Sequence, residues 1–371
     1  MSGEGRTDFD SRVEVQRLPA EVLHAEELDR LERWDPHPVP PGWVLSPIAV
    51  ERFIEGDEEL SIVRKFVAEP GVVTRTIISL LTDRGALLVG PPGTAKSWFS
   101  ELLAAAISRD SLLAAHGGAI SEVSHLLYTW NDAMVAAAGP SWESLVPSPV
   151  FRAMREGQIV RFEEVARCPQ PIQDALLTVL SDRIITVPEL ADQGGVLQAR
   201  PGFNVIATSN DVDAGIHQMS AALKRRLNFE RIPPIRHMAD EIEVIRSETM
   251  KRNRLSGVEG EVTDEVLEVL VTMARELRSG QTLDGRSTDR LAGSSLSTAE
   301  GVSVAHALSV HAWYYGDGRV SVAQLVHFLI GAILKDVPED RRRLLHYFDT
   351  EVARKSGSHW AEVLAQRHLL R

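Results

Sequence analysis

The sequence predicts an α/β core, three layers deep around a parallel sheet, followed by a smaller all-helical lid domain. Three observations carry this reading. Short, continuously apolar strands such as ALLVG (86–90) and FNVIATS (203–209) alternate with helical stretches as far as residue 233, the composition of strands buried on both faces. A turn rich in small residues joins the first of these strands to a helix. Beyond Pro233-Pro234 the strand signals fade and apolar residues recur at helical spacing.

In chain order, residues 1–45 read as an extension. Helical spacing over 21–34 (Val22, Leu23, Leu28, Leu31) precedes DPHPVPPGW (35–43), whose four prolines deny helix and central strand. A short docking helix and a linker are expected there. The core is assigned to 46–233. It holds a helix over 62–81 with a break at Glu69-Pro70-Gly71, a strand at 86–90 and a helix at 96–107. A strand at 158–162, a helix at 171–180 and a strand at 203–209 follow. The lid, 234–371, is expected to hold helices at 240–251, 264–277, 297–313, 320–334 and near 360–370. The Gly-, Ser- and Thr-rich stretch 280–297 reads as a mobile loop, and RRRLLHY (341–347) as a solvated helix face.

Composition narrows the function classes. The 371 residues, 44% hydrophobic and 25% charged, suffice for a sizeable core without disulfides or metals. Cys168 stands alone and is expected to be a small buried apolar residue in a reducing compartment. The polar, acidic start lacks the apolar core of a secretory signal. The longest apolar stretch, 320–334, is interrupted by Gln324 and His327 and is too short to span a bilayer. A soluble cytoplasmic protein is expected, with no membrane partner. The formal net charge of −12 argues against broad affinity for nucleic acid. His306 and His311, five apart, cannot share a helix face as metal ligands would.

The strongest chemical signal is Gly90-Pro91-Pro92-Gly93-Thr94-Ala95-Lys96-Ser97, which follows a strand and opens a helix. Small residues let backbone N–H groups curl around phosphate oxygens, and the helix N-terminus favours their charge. Lys96 would bridge the β- and γ-phosphates, Ser97 would ligate Mg²⁺, and Trp98 closes the contact run. ATP and Mg²⁺ are therefore the expected cofactors. Ala95 replaces the usual glycine, which is tolerable if its φ stays negative.

A phosphate loop needs an acidic pair at the end of a neighbouring strand. Ile159-Val160-Arg161-Phe162-Glu163-Glu164 supplies one: Glu163 for the metal, Glu164 to polarise the attacking water. Arg161 interrupts the apolar strand and is expected to snorkel or to pair with a carboxylate. Asn210, at the end of the third strand, could bond both γ-phosphate and lytic water, although an Asn there also suits a turn. Arg226, with Arg225 as second choice, could reach the phosphoryl group of a neighbouring subunit, or could simply cap a helix end.

These pieces in this order resemble the MoxR branch of AAA+ ATPases. EEVARCPQPIQDALLTVLSDR (163–183), VPSPVFRAMREG, VPEL and ALKRRLNFE make the likeness closest to its YehL-like group. The resemblance covers about 45–235 well and the lid weakly. It implies a ring, often a hexamer, with sites at subunit interfaces, and functional roles for Lys96, Ser97, Glu163, Glu164, Asn210 and Arg226. It implies a chaperone that matures a partner protein or complex, often beside a protein with a von Willebrand factor A domain. It also implies insertions, 127–149 and 186–201, as pore-facing elements, where Trp130 and Trp142 either contact substrate or simply pack. The family's second-sensor arginine is missing: Ser297-Thr298-Ala299-Glu300 stands in its place and has the form of a helix capping box, with Arg290 as a conceivable substitute.

The leading expectation is thus an ATP-hydrolysing remodelling motor. An ATP-gated scaffold with little turnover is the alternative, and a DNA-directed motor is disfavoured by the acidic balance.

Overall fold

The structure is a computed structural model that describes residues 16–210, 219–291, 296–334 and 337–370. Five parallel strands form the central sheet: β1 (Gly85–Gly90), β2 (Ala114–His116), β3 (Ile159–Glu163), β4 (Asn204–Asn210) and β5 (Leu227–Arg231), in the order β2-β3-β4-β1-β5. Ala86, Leu87 and Leu88 are fully buried because helices cover both faces. One face packs on helices Pro47–Glu55, Val72–Leu81 and Lys96–Ser108, and the other on Pro149–Glu156 and Gln170–Asp182. The expected three-layer core is therefore the observed one.

Two strands of this central sheet were not legible. β2 is three residues long, too short to show a pattern, and β5 carries alternating polar residues because it is an edge strand. The helix expected over 62–81 is confined to Val72–Leu81. Pro70 has no N–H, and Gly71 takes φ +77° immediately before the helix, so the chain turns there. Residues 62–66 run extended instead, with Ile62 bridging Asp57 and Lys65 N donating to Ile54 O at 3.0 Å.

The N-terminal segment forms helices Ala20–Leu23 and Ala25–Trp34, and Ala20, Leu28, Leu31, Trp43 and Leu45 join the same core as the helix after the phosphate loop. A polar clamp strengthens this docking. Glu27 Oε1 accepts the Val63 N–H at 2.9 Å, and Glu27 pairs at 2.5 Å with Lys65, whose side chain is 1% exposed. Burial works against a charged Glu27, but hydrogen bonds from His24, Lys65 and Val63 outweigh it and hold the carboxyl down to about 2. A carboxyl depressed below its ordinary 4.5 stabilises the fold fully above that pH and loses its contribution as pH falls through the folded value. The stability gap between wild type and Glu27→Gln, read from denaturant midpoints, is expected to shrink steadily from pH 5 towards pH 2. A gap independent of pH would show that the clamp does not depend on the charge.

The lid comprises helices Met238–Leu255, Asp264–Ser279, Thr298–Tyr315, Val322–Ile333, Pro338–Thr350 and Ser358–Ala365 around its own apolar core. Helix Pro338–Thr350 corrects the reading of 341–347 as a solvated face: Leu344, Tyr347 and Phe348 are buried, and the Tyr347 hydroxyl donates to buried Glu276 at 2.5 Å. Within the stretch read as a mobile loop, residues 280–291 form an irregular, internally hydrogen-bonded connection. There Thr282 N donates to Arg286 O at 2.8 Å and Thr288 N to Gly280 O at 2.9 Å, closing a tight turn. Residues 292–295 of that stretch lie outside the described residues. Among the described residues no helix is long and apolar enough to cross a membrane.

Candidate nucleotide site

The loop 90–95 leaves β1 and turns into helix Lys96–Ser108. Gly93 has φ +76°, and a Cβ there would lie 2.1 Å from Ser297 Oγ, so only glycine lets the start of lid helix Thr298–Tyr315 rest on the loop. Ala95 departs from expectation: its φ is +61°, left-handed rather than negative. That conformation costs an L-residue roughly 1–2 kcal/mol, a strain stored where the chain wraps the cradle. Among the described residues the N–H groups of Gly93, Thr94 and Ala95 find no backbone acceptor. Buried Lys96 donates to Gly90 O at 2.9 Å and Pro91 O at 2.8 Å. Open N–H groups and a folded-back ammonium are what a polyphosphate would engage, so the loop fits such a group. Pro91 O also accepts the Thr94 hydroxyl at 3.0 Å, and Pro92 lies at the exposed tip of the loop. The Trp98 side chain turns away, donating to Lys65 O at 3.3 Å beside the N-terminal helix.

The structure brings the two expected metal ligands together. Ser97 Oγ donates to Glu163 Oε2 at 2.7 Å. The same carboxylate accepts from Thr208 Oγ1 at 2.7 Å and, on its other oxygen, from Ser100 Oγ at 2.8 Å and Arg161 Nη2 at 2.9 Å. Burial alone would raise the Glu163 pKa; the hydrogen bonds from Ser97 and Thr208, the Arg161 charge and Ser100 together hold it below the ordinary carboxylate value. Glu163 is thus an anion aimed at a hydroxyl, the donor set a hard cation such as Mg²⁺ takes. Arg161 pairs as anticipated, and its guanidinium further bonds Ser100 Oγ (3.0 Å), Ser111 O (3.0 Å) and Ser97 O (3.1 Å). Ser100 and Thr208 were missed by sequence reasoning. Thr208 had a signal, a polar residue inside an apolar strand, whereas Ser100 had none.

Glu164 sits just past β3 with φ +58°, its N–H donating to Thr208 Oγ1 at 3.0 Å. Its side chain is 42% exposed and pairs with Arg167 at 3.2 Å. A left-handed non-glycine at a strand end turns this carboxylate out of the sheet and towards solvent. Asn210 ends β4 directly beside Gly90 in the strand register, at the phosphate edge of the sheet. Arg226 lies at the other end. Its carbonyl accepts the Gly85 N–H at 3.0 Å, at the start of β1, and the five residue steps from there to Gly90 span roughly 16 Å. Arg225 and Arg226 are both exposed there.

A cavity of 270 Å³ flanks the loop, lined by Val67, Ala68, Pro70, Ile232, Pro234 and His237 among others. Ile232 ties it to the cradle, since its N–H donates to Val89 O at 2.8 Å and its carbonyl lies against Gly90. The hinge beyond is clamped: Arg275 donates to Ile235 O (3.1 Å), Arg236 O (2.6 Å) and buried Glu241 (2.7 Å). Glu241 also accepts from Arg278 and from Thr298 Oγ1 at 3.0 Å, beside the Ser297–Glu300 capping box, which is formed as expected. Arg290 packs on Gly280 at the C-terminal end of helix Asp264–Ser279. Cys168 is buried, as anticipated, and burial pushes its thiol up to about 12.

A phosphate loop after the interior strand β1, an acidic pair at the end of β3 on the far side of β4, and a helical lid resting on the loop define a P-loop protein of the AAA+ class. Residues 85–227 match the family model for the AAA domain of the dynein-related subfamily, and residues 239–371 the YehL-like AAA+ ATPase C-terminal domain. The chain is 47% identical over 356 residues to the YehL protein of Escherichia coli (strain K12), covering 96% of this chain and 98% of that one. It belongs to the YehL-like AAA+ ATPases. A Staphylococcus aureus (strain USA300) protein is 31% identical over 145 residues, 39% of this chain and 53% of that one. Among solved structures, NtrX from Brucella abortus in complex with ADP superposes with a TM-score of 0.51 at 16% identity, covering 82% of this chain and 68% of that one, a likeness of fold.

Proposed function

We propose that this chain binds ATP with Mg²⁺ and hydrolyses it as a subunit of a homo-oligomeric, six-membered ring in the cytoplasm, remodelling or maturing a partner protein. The observation that carries the reading is the contact of Ser97 with an ionised Glu163 directly below the loop. Bound Mg²⁺ would neutralise charge on the phosphate oxygens. Gly90 to Ser97 hold and orient the polyphosphate, Lys96 exchanges its carbonyl partners for phosphate oxygens, and the flanking cavity receives the base. Glu164 polarises the attacking water, with Asn210 beside it. The resemblance to the MoxR branch supports the chaperone role and a partner with a von Willebrand factor A domain.

The position of Arg226 supports a ring. An arginine whose backbone lies roughly 16 Å along the sheet from its own loop, at the opposite sheet edge, is placed to serve a neighbour's loop rather than its own. Arg226→Ala is expected to lower ATP turnover by about 10³-fold or more without loss of ATP affinity. Wild-type specific activity should rise with protein concentration. Activity independent of concentration and unchanged in Arg226→Ala would exclude the trans arginine.

One observation favours a second reading, the ATP-gated scaffold. Arg161 already neutralises Glu163, and a carboxylate so restrained is a poorer metal ligand. Tight ATP binding with turnover far below the common range of 1–10³ per second would support it.

A further inference from the structure

Two insertions leave the core side by side. The first is a hairpin, Tyr128–Trp130 paired with Leu145–Pro147, that carries helix Asp132–Ala138 at its tip. The second pairs Ile184–Thr186 with Val196–Gln198 around a short turn of 3₁₀ helix. They are held together, since the Tyr128 hydroxyl donates to Glu189 at 2.9 Å and Trp142 Nε1 to Gln193 O at 3.5 Å. Between them lies a groove of 470 Å³ lined by Val123, Leu127, Tyr128, Trp130, Asp132 and Glu189.

Among the described residues no segment of the chain covers the groove. Helix Asp132–Ala138, DAMVAAA, is apolar yet buries none of its residues. Met134 is 41% exposed, Trp142 38%, Val146 47% and Val196 48%, all on these two insertions. Apolar side chains clustered in this way around a concave aromatic floor mark a surface built to be covered. The charge pattern says by what. Residues 121–147 and 184–199 contain Glu122, Asp132, Glu143, Glu189 and Asp192, and not one lysine or arginine. Acidic rims around Tyr128 and Trp130 favour a guanidinium or ammonium through charge and through the aromatic faces, and repel nucleic acid.

We infer that this groove binds an extended polypeptide segment of a partner protein in which basic residues alternate with apolar ones. Arginine or lysine side chains sit on Trp130 and Tyr128 against Glu189 and Asp132, and the apolar neighbours cover the helix Asp132–Ala138. That the segment belongs to a protein being remodelled rests on the motor reading above; the chemistry of the groove does not.

The test is fluorescence polarisation of the full-length protein with a short labelled peptide alternating arginine and leucine, and with its glutamate–leucine counterpart. Basal ATP hydrolysis and sedimentation are measured in parallel. The basic peptide is expected to bind saturably and the acidic one not. Trp130→Ala should weaken binding about tenfold or more, and Glu189→Gln with Asp132→Asn should flatten its salt dependence, all with basal hydrolysis unchanged. Equal binding of both peptides, or unaltered binding by Trp130→Ala protein, would overturn the inference. So would a Met134→Asp variant that dissociates the oligomer yet binds peptide as before, because a second copy would then be the cover. Selective peptide binding by a wild-type protein that hydrolyses no ATP would uphold the groove and overturn the motor reading alone.

Discussion

Glu164→Gln protein is expected to hydrolyse ATP about 10²- to 10⁴-fold more slowly than wild type, the range supplied by a positioned base, while its ATP affinity changes little. The substitution is nearly isosteric. The features that place residue 164 belong to the backbone, namely its φ of +58° and its N–H bond to Thr208 Oγ1 at 3.0 Å, and they survive in the variant. What is lost is the carboxylate, together with an exposed ion pair to Arg167 that contributes at most about 1 kcal/mol. Binding groups lie elsewhere, in the loop, Lys96 and the Ser97–Glu163 contact. Titration with a fluorescent ATP analogue and a steady-state phosphate-release assay on the same preparation separate the two effects. Turnover near wild type would remove Glu164 from its assigned role, and loss of both binding and turnover would show that the strand end had collapsed.

Arg161→Leu carries the second large effect, and it is on stability. Arg161 is 9% exposed; its guanidinium bonds Glu163 at 2.9 Å and lies 3.7 Å from Glu101, with Ser100 Oγ and two backbone carbonyls completing its shell. Removing one partner of a buried pair leaves the other charge without compensation, at a cost of about 3–5 kcal/mol. Equilibrium denaturation should therefore show a markedly lower midpoint. Adding Glu163→Gln should recover part of the loss, because the two changes share one network and do not add. A loss below about 1 kcal/mol, or strict additivity, would show that the core repacks around leucine. If Arg161→Leu protein stays folded and turns over faster than wild type, the arginine is a restraint on the metal carboxylate, which would favour the scaffold reading for the native chain.

Where the reading from sequence failed, long-range contacts had overruled local pattern. Residues 62–66 have enough apolar side chains for a helix, yet they run extended because Lys65 is buried on Phe53 and clamped by Glu27 from the N-terminal helix. RRRLLHY looks like a solvated face until Tyr347 is seen to close on buried Glu276, 71 residues away in sequence. Ala95 looks tolerable at negative φ, but entry into the helix beside Gly93 demands the left-handed turn.

The sequence by itself determined what contiguous residues can build: the strand–loop–helix of the phosphate cradle, the acidic pair at the end of β3, the capping box Ser297–Glu300, and the change from α/β core to helical lid. Each depends on hydrogen bonds or periodicity within a few residues, so local composition suffices. The tertiary structure alone decided that Ser97, Ser100, Arg161 and Thr208 converge on one carboxylate, and that the lid rests on Gly93. It also decided that Arg226 stands at the far end of the sheet and that two insertions enclose an acidic aromatic groove. Those arrangements join residues dozens of positions apart, and only the packing of the sheet, its helices and its hairpins sets which of them meet.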